Sequence, residues 1–182
     1  MENILTKKGL RHYVRTQKKS FSFDQLHYWS NEIMEILFSN ESIKKARTIL
    51  LYASLEDEVD THSFIHKYFK EKQLLLPVVN KDYLQIHLYE DEIKLGAFNI
   101  EEPTGPIFND YDRIDLVIVP GMAFDKKMHR IGRGKGYYDK LLPSIKAPKY
   151  GICFDFQFFE HIPSEVHDVK MDTVFTETGC HK

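Results

Sequence analysis

Apolar residues recur along this chain with two periods, and the switches between them lay out the elements. Residues 4 to 18 have helical spacing, with Leu10, Tyr13, Val14 and Gln17 near one face and Lys7, Arg11 and Arg15 sharing another. A second helix is predicted from Ser22. Ser22 and Gln25 have capping-box spacing, and Leu26, Trp29, Ile33, Ile36 and Leu37 form its apolar stripe. Thr48 to Ala53 (TILLYA) is a nearly continuous apolar run, the pattern of a strand buried on both faces. Asp60 or Thr61 can cap a helix whose Phe64, Ile65, Tyr68 and Phe69 pack inward. Leu74 to Val79 (LLLPVV) predicts a second buried strand, which Pro77 pushes toward an edge or a bulge. Alternation over Leu84 to Tyr89 predicts a half-exposed strand. Gly96 to Phe108 contains Glu102-Pro103 and Gly105-Pro106 and reads as an ordered loop. Asp115 to Val119 (DLVIV) carries the strongest strand signal. A loop follows, then a helix from about Gly136 to Leu142, a strand at Tyr150 to Phe154, and one more strand in the tail, Val169 to Thr176.

Strands alternating with helices predict an α/β layered fold with a mainly parallel sheet, as one domain over residues 1–182. In such sheets ligands bind beyond the carboxyl ends of the strands, which points to the loops after Ala53 and after Val119.

Composition narrows the class. A hydrophobic share of 42% supplies a core without disulfide staples. With 25 basic and 27 acidic residues the net charge is −2, so bulk electrostatics give no nucleic-acid footprint, while a local basic pocket stays open. Cys153 and Cys180 form no CxxC pair and no zinc pattern, which fits a reduced intracellular chain without structural metal. The N-terminus lacks a signal-peptide core and no apolar run nears the roughly 20 residues of a membrane span. The expectation is a cytoplasmic protein with no membrane or nucleic-acid partner, and a monomer as the simpler default.

The chemistry is concentrated in PGMAFDKKMHRIGRGKGYYDKLL, Pro120 to Leu142. Gly132, Gly134 and Gly136 alternate with Arg133 and Lys135 just before a helix. Glycines let the backbone approach a ligand, and backbone N–H groups at a helix start form an anion nest. Arg130, Arg133 and Lys135 add three positive charges, a combination that suits a polyphosphate. The stretch is neither a Walker A loop nor a Rossmann fingerprint. Asp139 is either a carboxylate favoured by the helix dipole or a Mg²⁺ ligand beside phosphates, with Asp172 as a second ligand if the tail folds back.

This stretch resembles the signature PG-x-AFD…R-x-G-x-G-x-GYYD of the 5-formyltetrahydrofolate cyclo-ligase family: here Pro120-Gly121, Ala123-Phe124-Asp125, Arg130, Gly132, Gly134, Gly136, Tyr137, Tyr138 and Asp139. Lys7 to Arg11 (KKGLR), Tyr52 to Thr61, Phe98 to Pro103 and Val169 to Glu177 resemble further family segments in the same order, so the likeness spans nearly the whole chain. One departure is Met128, where the family commonly has Gly; a positive φ there would strain Met.

The resemblance implies a Rossmann-like, three-layer α/β/α sandwich. It also implies conversion of 5-formyltetrahydrofolate, with or without a polyglutamate tail, and ATP to 5,10-methenyltetrahydrofolate, ADP and phosphate, with Mg²⁺. ATP would meet Lys7, Lys8, Gly9, Leu10 and Arg11 on the first helix. It would also meet Arg130, Ile131, Gly132, Arg133, Gly134, Lys135, Gly136, Tyr137 and Tyr138. Arg133 and Lys135 would meet the transferring phosphoryl group. Folate would meet Ala53, Glu58 and Phe98, together with Arg133, Gly134, Lys135, Gly136 and Tyr137. Glu58 would accept from the pterin's N–H donors, Phe98 and Tyr138 would offer stacking surfaces, and Asp139 with Asp172 would hold the metal. Two other readings stay open from the residues: an ATP-dependent kinase or ligase for another small molecule, and a non-catalytic RNA- or nucleotide-binding regulator.

Overall fold

The computed structural model describes residues 6–90, 93–95 and 101–182. Phe98 and residues 96–100 of the segment read as a loop therefore lie outside the described residues, as do residues 4 and 5 of the first predicted helix, and the rest of that segment begins with a strand rather than a loop.

Helix α1 (Lys7–Lys19) starts where the Thr6 hydroxyl accepts the Gly9 N–H at 3.0 Å. Helix α2 (Phe23–Ser39) is capped as its sequence predicts, with Ser22 Oγ accepting from Gln25 N at 3.2 Å. A short helix α3 (Glu41–Lys45), absent from the sequence reading, follows because the Asn40 side chain accepts from both Ser42 N and Ile43 N. Strand β1 (Thr48–Leu50) is shorter than the apolar run that predicts it. Helix α4 (His62–Tyr68) follows Thr61, but its cap bond comes from Asp60, whose carboxylate accepts from His62 N at 2.8 Å. The Thr61 hydroxyl instead donates to the Tyr52 carbonyl at 2.6 Å.

Strands β2 (Gln73–Asn80) and β3 (Tyr83–Leu88) form an antiparallel pair. Pro77 is tolerated because β1 pairs β2 only as far as Leu75. The ribbon of β4 (Ile93–Leu95) and β5 (Glu101–Pro103) stands apart, and β6 (Leu116–Pro120) returns to the sheet. The stretch after β6, which reads as a loop in the sequence, is a hairpin of β7 (Ala123–Asp125) and β8 (Arg130–Ile131). Helix α5 (Tyr137–Leu141), β9 (Lys149–Ile152), β10 (Phe158–Phe159), β11 (Thr173–Thr176) and β12 (Gly179–His181) complete the chain.

The main sheet has the order β12-β11-β9-β6-β1-β2-β3. Its five inner strands are parallel, and an antiparallel strand closes each edge. Period-two alternation divides the core. Ile49, Leu51, Leu74, Leu76, Leu116 and Ile118 face Ile33, Leu37 and Phe64 of α2 and α4. Leu50, Leu75, Val117 and Val119 face the opposite layer, with Phe124, Leu141 and Leu142. This is the α/β layered fold with a mainly parallel sheet that the residues imply. Helix α1 packs Leu10 and Val14 on Met122, Ala123 and Ile131, so it sits on the hairpin rather than on the sheet. Among the described residues no helix is long and apolar enough to cross a membrane.

Candidate active site

The loop from Gly132 to Gly136 bridges the β7–β8 hairpin and α5. Gly134 and Gly136 have φ of 105° and 70°, values that a side chain would strain. Two cations anchor this loop to distant parts of the chain, and a third pairs across its two ends. Arg11 of α1 donates through Nε to the Gly132 carbonyl at 2.7 Å. Arg133 donates through Nε to Glu58 Oε1 at 2.8 Å and through Nη2 to Asp57 Oδ1 at 2.5 Å. Arg130, with a side chain only 3% exposed, donates through Nη2 to Asp139 Oδ1 at 2.6 Å and lies 5.7 Å from the Tyr138 ring centroid. Among the described residues its Nε has no hydrogen-bond partner. A buried, unpartnered guanidinium N–H beside a glycine loop is a donor for an anionic oxygen. Lys135 is exposed at the rim.

Glu58 is fixed from within its own turn: its N–H donates to the Leu55 carbonyl at 2.9 Å, and its Oε2 accepts from Leu55 N at 3.1 Å. Burial works against the Arg133 charge, yet Glu58 and Asp57 hold its pKa above the ordinary value. Burial first, and the Glu58 charge second, push the Tyr138 hydroxyl up, so it stays protonated and able to donate. A cavity of about 220 Å³ opens beside this turn. Ser54, Leu55, Glu56, Glu58, Asp60 and His62 line one side, and Phe23, Leu26, His27 and Ser30 of α2 line the other. The Phe23 and His27 rings stack at its mouth, 6.0 Å apart. Ala53 is half-buried where the chain leaves the sheet. Tyr137 points away, its hydroxyl donating to the Lys81 carbonyl at 3.3 Å.

Not every residue named from the sequence arrives there. Leu10 and Ile131 are each 1% exposed and turn their side chains into the core, which leaves only their backbones to a ligand. Gly9 spends its N–H on the Thr6 cap, and Lys8 is exposed. Lys7 is held by Asp168, with Nζ 2.7 and 3.0 Å from the two carboxylate oxygens, and lies 3.3 Å from Glu165. Asp172 is at the amino end of the inner strands β9 and β11, where its Oδ2 accepts from Lys149 N at 2.7 Å. Asp115 caps β1 in the same way, accepting from Arg47 N and Thr48 N. The carboxylate that shares the Arg11 neighbourhood with Asp139 is Asp168, since both charges raise the Arg11 pKa against the larger effect of burial.

A profile of the 5-formyltetrahydrofolate cyclo-ligase family matches residues 3–177. The chain belongs to that family. A 5-formyltetrahydrofolate cyclo-ligase of Mus musculus is 27% identical over 94% of this chain and 93% of its own length. One of Haemophilus influenzae is 27% identical over 93% and 96%. The solved 5,10-methenyltetrahydrofolate synthetase of Aquifex aeolicus superposes with a TM-score of 0.88 at 33% identity, over 97% of this chain and 92% of that one. The recognition made on the signature stands, and with it the three-layer α/β fold and the reading of the chain as a cyclo-ligase, with ATP as the family's co-substrate.

Three features of this region carry no signal in the sequence. The α2 wall of the cavity reads in sequence only as a helix with an apolar stripe, and nothing in its pattern points at Glu58. Asp168 lies in a polar tail with no local motif, so only the fold relates it to Arg11. Lys18 ends the basic stretch of α1 and carries no signal that it is buried.

Proposed function

We propose that this chain cyclises 5-formyltetrahydrofolate to 5,10-methenyltetrahydrofolate at the expense of ATP. The N5-formyl oxygen attacks the γ-phosphorus, forming an O–P bond as the bond to the ADP oxygen breaks. N10 then attacks the activated formyl carbon, the C–O bond breaks, phosphate leaves, and N10 gives up its proton. Such phosphoryl transfer asks the protein chiefly for positioning and charge neutralisation. Arg130 Nε, Arg11, Lys7 and the N–H groups of the glycine loop suit the ATP phosphates, and Arg133 and Lys135 suit the transferring group. Glu58 and the adjoining cavity suit a pterin with its N–H donors.

Asp139 and Asp168 are hard-oxygen donors flanking Arg11 and suit Mg²⁺, which would neutralise phosphate charge when bound. Asp172, whose carboxylate already caps a strand, suits it less. The absence of any described helix able to span a membrane fits the cytoplasmic reading.

The observation that carries the proposal is the Arg133 bridge. It joins the cationic loop to Glu58, 75 positions earlier, so phosphate and pterin chemistry meet at one guanidinium. The test is the absorbance of the methenyl product when protein, 5-formyltetrahydrofolate, Mg²⁺ and ATP are mixed, beside an ATP-free control and Lys135→Ala. An ATP-dependent rise that Lys135→Ala slows by about two orders of magnitude is expected. No rise with folded wild-type protein would leave a kinase or ligase with another acceptor as the surviving reading.

A further inference from the structure

Two cations are buried among the described residues, Arg130 and Lys18. Arg130 belongs to the phosphate loop. Lys18 lies at the other end of α1, two helical turns beyond Arg11, with a side chain 5% exposed. Burying an ammonium is unfavourable unless its donors are matched, so its partners show what it is for. Lys18 Nζ donates to the backbone carbonyl of Asp57, and to the Asp57 carboxylate Oδ2 at 3.2 Å. The other oxygen of that carboxylate accepts from Arg133 Nη2, and Arg133 Nε reaches Glu58. Two cations and two carboxylates thus alternate in one chain of contacts: Lys18, Asp57, Arg133, Glu58.

Only Lys18 in this chain of contacts rises from a regular helix with its own packed face. Leu10 and Val14 fix α1 against the β7–β8 hairpin, and Arg11 ties it to the Gly132 carbonyl. The turn at Asp57 and Glu58 is otherwise held by its own Leu55 contacts, by the Tyr52 hydroxyl donating to the Val59 carbonyl at 3.2 Å, and by Asp60 N donating to Ser30 Oγ of α2 at 3.1 Å. Without Lys18, the Asp57 carbonyl loses its donor and both Asp57 oxygens are left to Arg133.

We propose that Lys18 is a positioning residue, whose clamp on Asp57 sets the Glu58 turn and the Arg133 guanidinium for the folate substrate. This rests on the cyclo-ligase reading of the site. Helix α1 then serves both substrates, through Lys7 and Arg11 at one end and through Lys18 at the other.

The test compares the full-length wild type with Lys18→Met and Lys18→Arg. Methionine keeps the length, suits a buried position and is a good helix former. For Lys18→Met the KM for 5-formyltetrahydrofolate should rise about tenfold, the scale of one charge-assisted hydrogen bond. The KM for ATP should stay within about twofold, because the ATP-side contacts of α1 do not pass through Lys18, whereas kcat should fall as Arg133 loses its place on the transferring group. Lys18→Arg restores a cation and should recover most of the loss. In the ligand-free protein, amides 54–60 should exchange hydrogen about tenfold faster in Lys18→Met, with those of α1 unchanged. An unchanged folate KM with unchanged exchange at 54–60 would overturn the proposal. So would faster exchange throughout α1, which would mark Lys18 as mere helix packing. A wild type that does not turn over the folate would sink the cyclo-ligase reading, and the exchange arm would still decide the role of Lys18.

Discussion

The Phe124 ring is clamped between two glycines, and adding a single methyl group tests how rigidly the hairpin is seated. Phe124 is fully buried on β7. A Cβ placed on Gly151 of β9 would lie 2.5 Å from Phe124 Cε1, 3.0 Å from Cδ1 and 3.1 Å from Cζ. A Cβ on Gly121 would lie 2.5 Å from Cε2 and Cζ on the other side, and 3.2 Å from Arg130 Cγ. The shortest distance falls about 1 Å short of ordinary carbon–carbon contact. The ring cannot swing away from Gly151 without meeting Gly121. Gly151→Ala therefore sits at the upper end of overpacking, about 3 kcal/mol. Replacing glycine within a strand returns up to about 1 kcal/mol by restricting the unfolded chain. The net expectation is a loss of about 2 kcal/mol, a melting temperature lower by roughly 4–8 °C for a chain of this length. Urea denaturation should show a lower midpoint at unchanged slope. In a Phe124→Leu background the same alanine should cost nothing, giving a coupling of about 2 kcal/mol in the double-mutant cycle. Gly151→Ala as stable as wild type, or the same loss in both backgrounds, would refute the clamp. The hairpin that this ring seats also carries Arg130, so its packing also places the residue proposed to meet phosphate.

Two further outcomes follow from the charges. Asp139→Asn leaves the buried Arg130 guanidinium without its counter-charge. Asp139 is 31% exposed, so the loss should be about 2 kcal/mol, below the usual range for breaking a fully buried pair, and a urea midpoint equal to wild type would contradict the pairing. On acidification, burial alone would raise the Asp57 and Asp168 pKa values. Lys18 and Arg133 outweigh it at Asp57, and Lys7 and the Glu165 N–H outweigh it at Asp168, so both carboxyls titrate below their ordinary range. The stability they contribute is thus present above about pH 4 and lost as pH falls through the lowered values. Asp168→Asn should flatten that fall when unfolding free energy is followed from pH 6 to about pH 2; a steeper fall would contradict it.

Strands buried on both faces were legible because TILLYA, LLLPVV and DLVIV have no other economical place in a chain of this size. Caps at Ser22 and near Thr61 were legible because a side-chain oxygen before an apolar stripe has a local job. The β7–β8 hairpin was not. Its strands have three and two residues, and besides the local bonds from Lys127 N and His129 N to Asp125, what holds them is tertiary: Phe124 against the sheet, and Asp125 accepting from Ile162 N. The basic glycine loop stands out by composition, whereas the different surroundings of Asp168 and Asp172 depend on strand polarity. Four residues separate these aspartates in sequence. The fold gives one to Lys7 and the other to the amino end of β9. Lys18 was invisible for the same reason, since its partner lies 39 positions away.

Met128 shows how the hairpin tolerates a residue that its backbone disfavours. Its φ is 65°, in the left-handed region, where a side chain costs on the order of 1–2 kcal/mol. The turn is over-determined around it. Met128 N donates to the Asp125 carbonyl at 2.9 Å, and the Met128 carbonyl accepts from Met171 N at 2.8 Å. The Asp125 carboxylate, fully buried, accepts from the N–H groups on either side of Met128 at 2.9 Å each. Several charge-assisted or backbone bonds, each contributing about 1 kcal/mol or more, outweigh one unfavourable dihedral. Methionine also recovers part of the cost by packing its unbranched chain against the core, which glycine could not do. The strain therefore stays in the turn. Two residues on, Arg130 still meets Asp139.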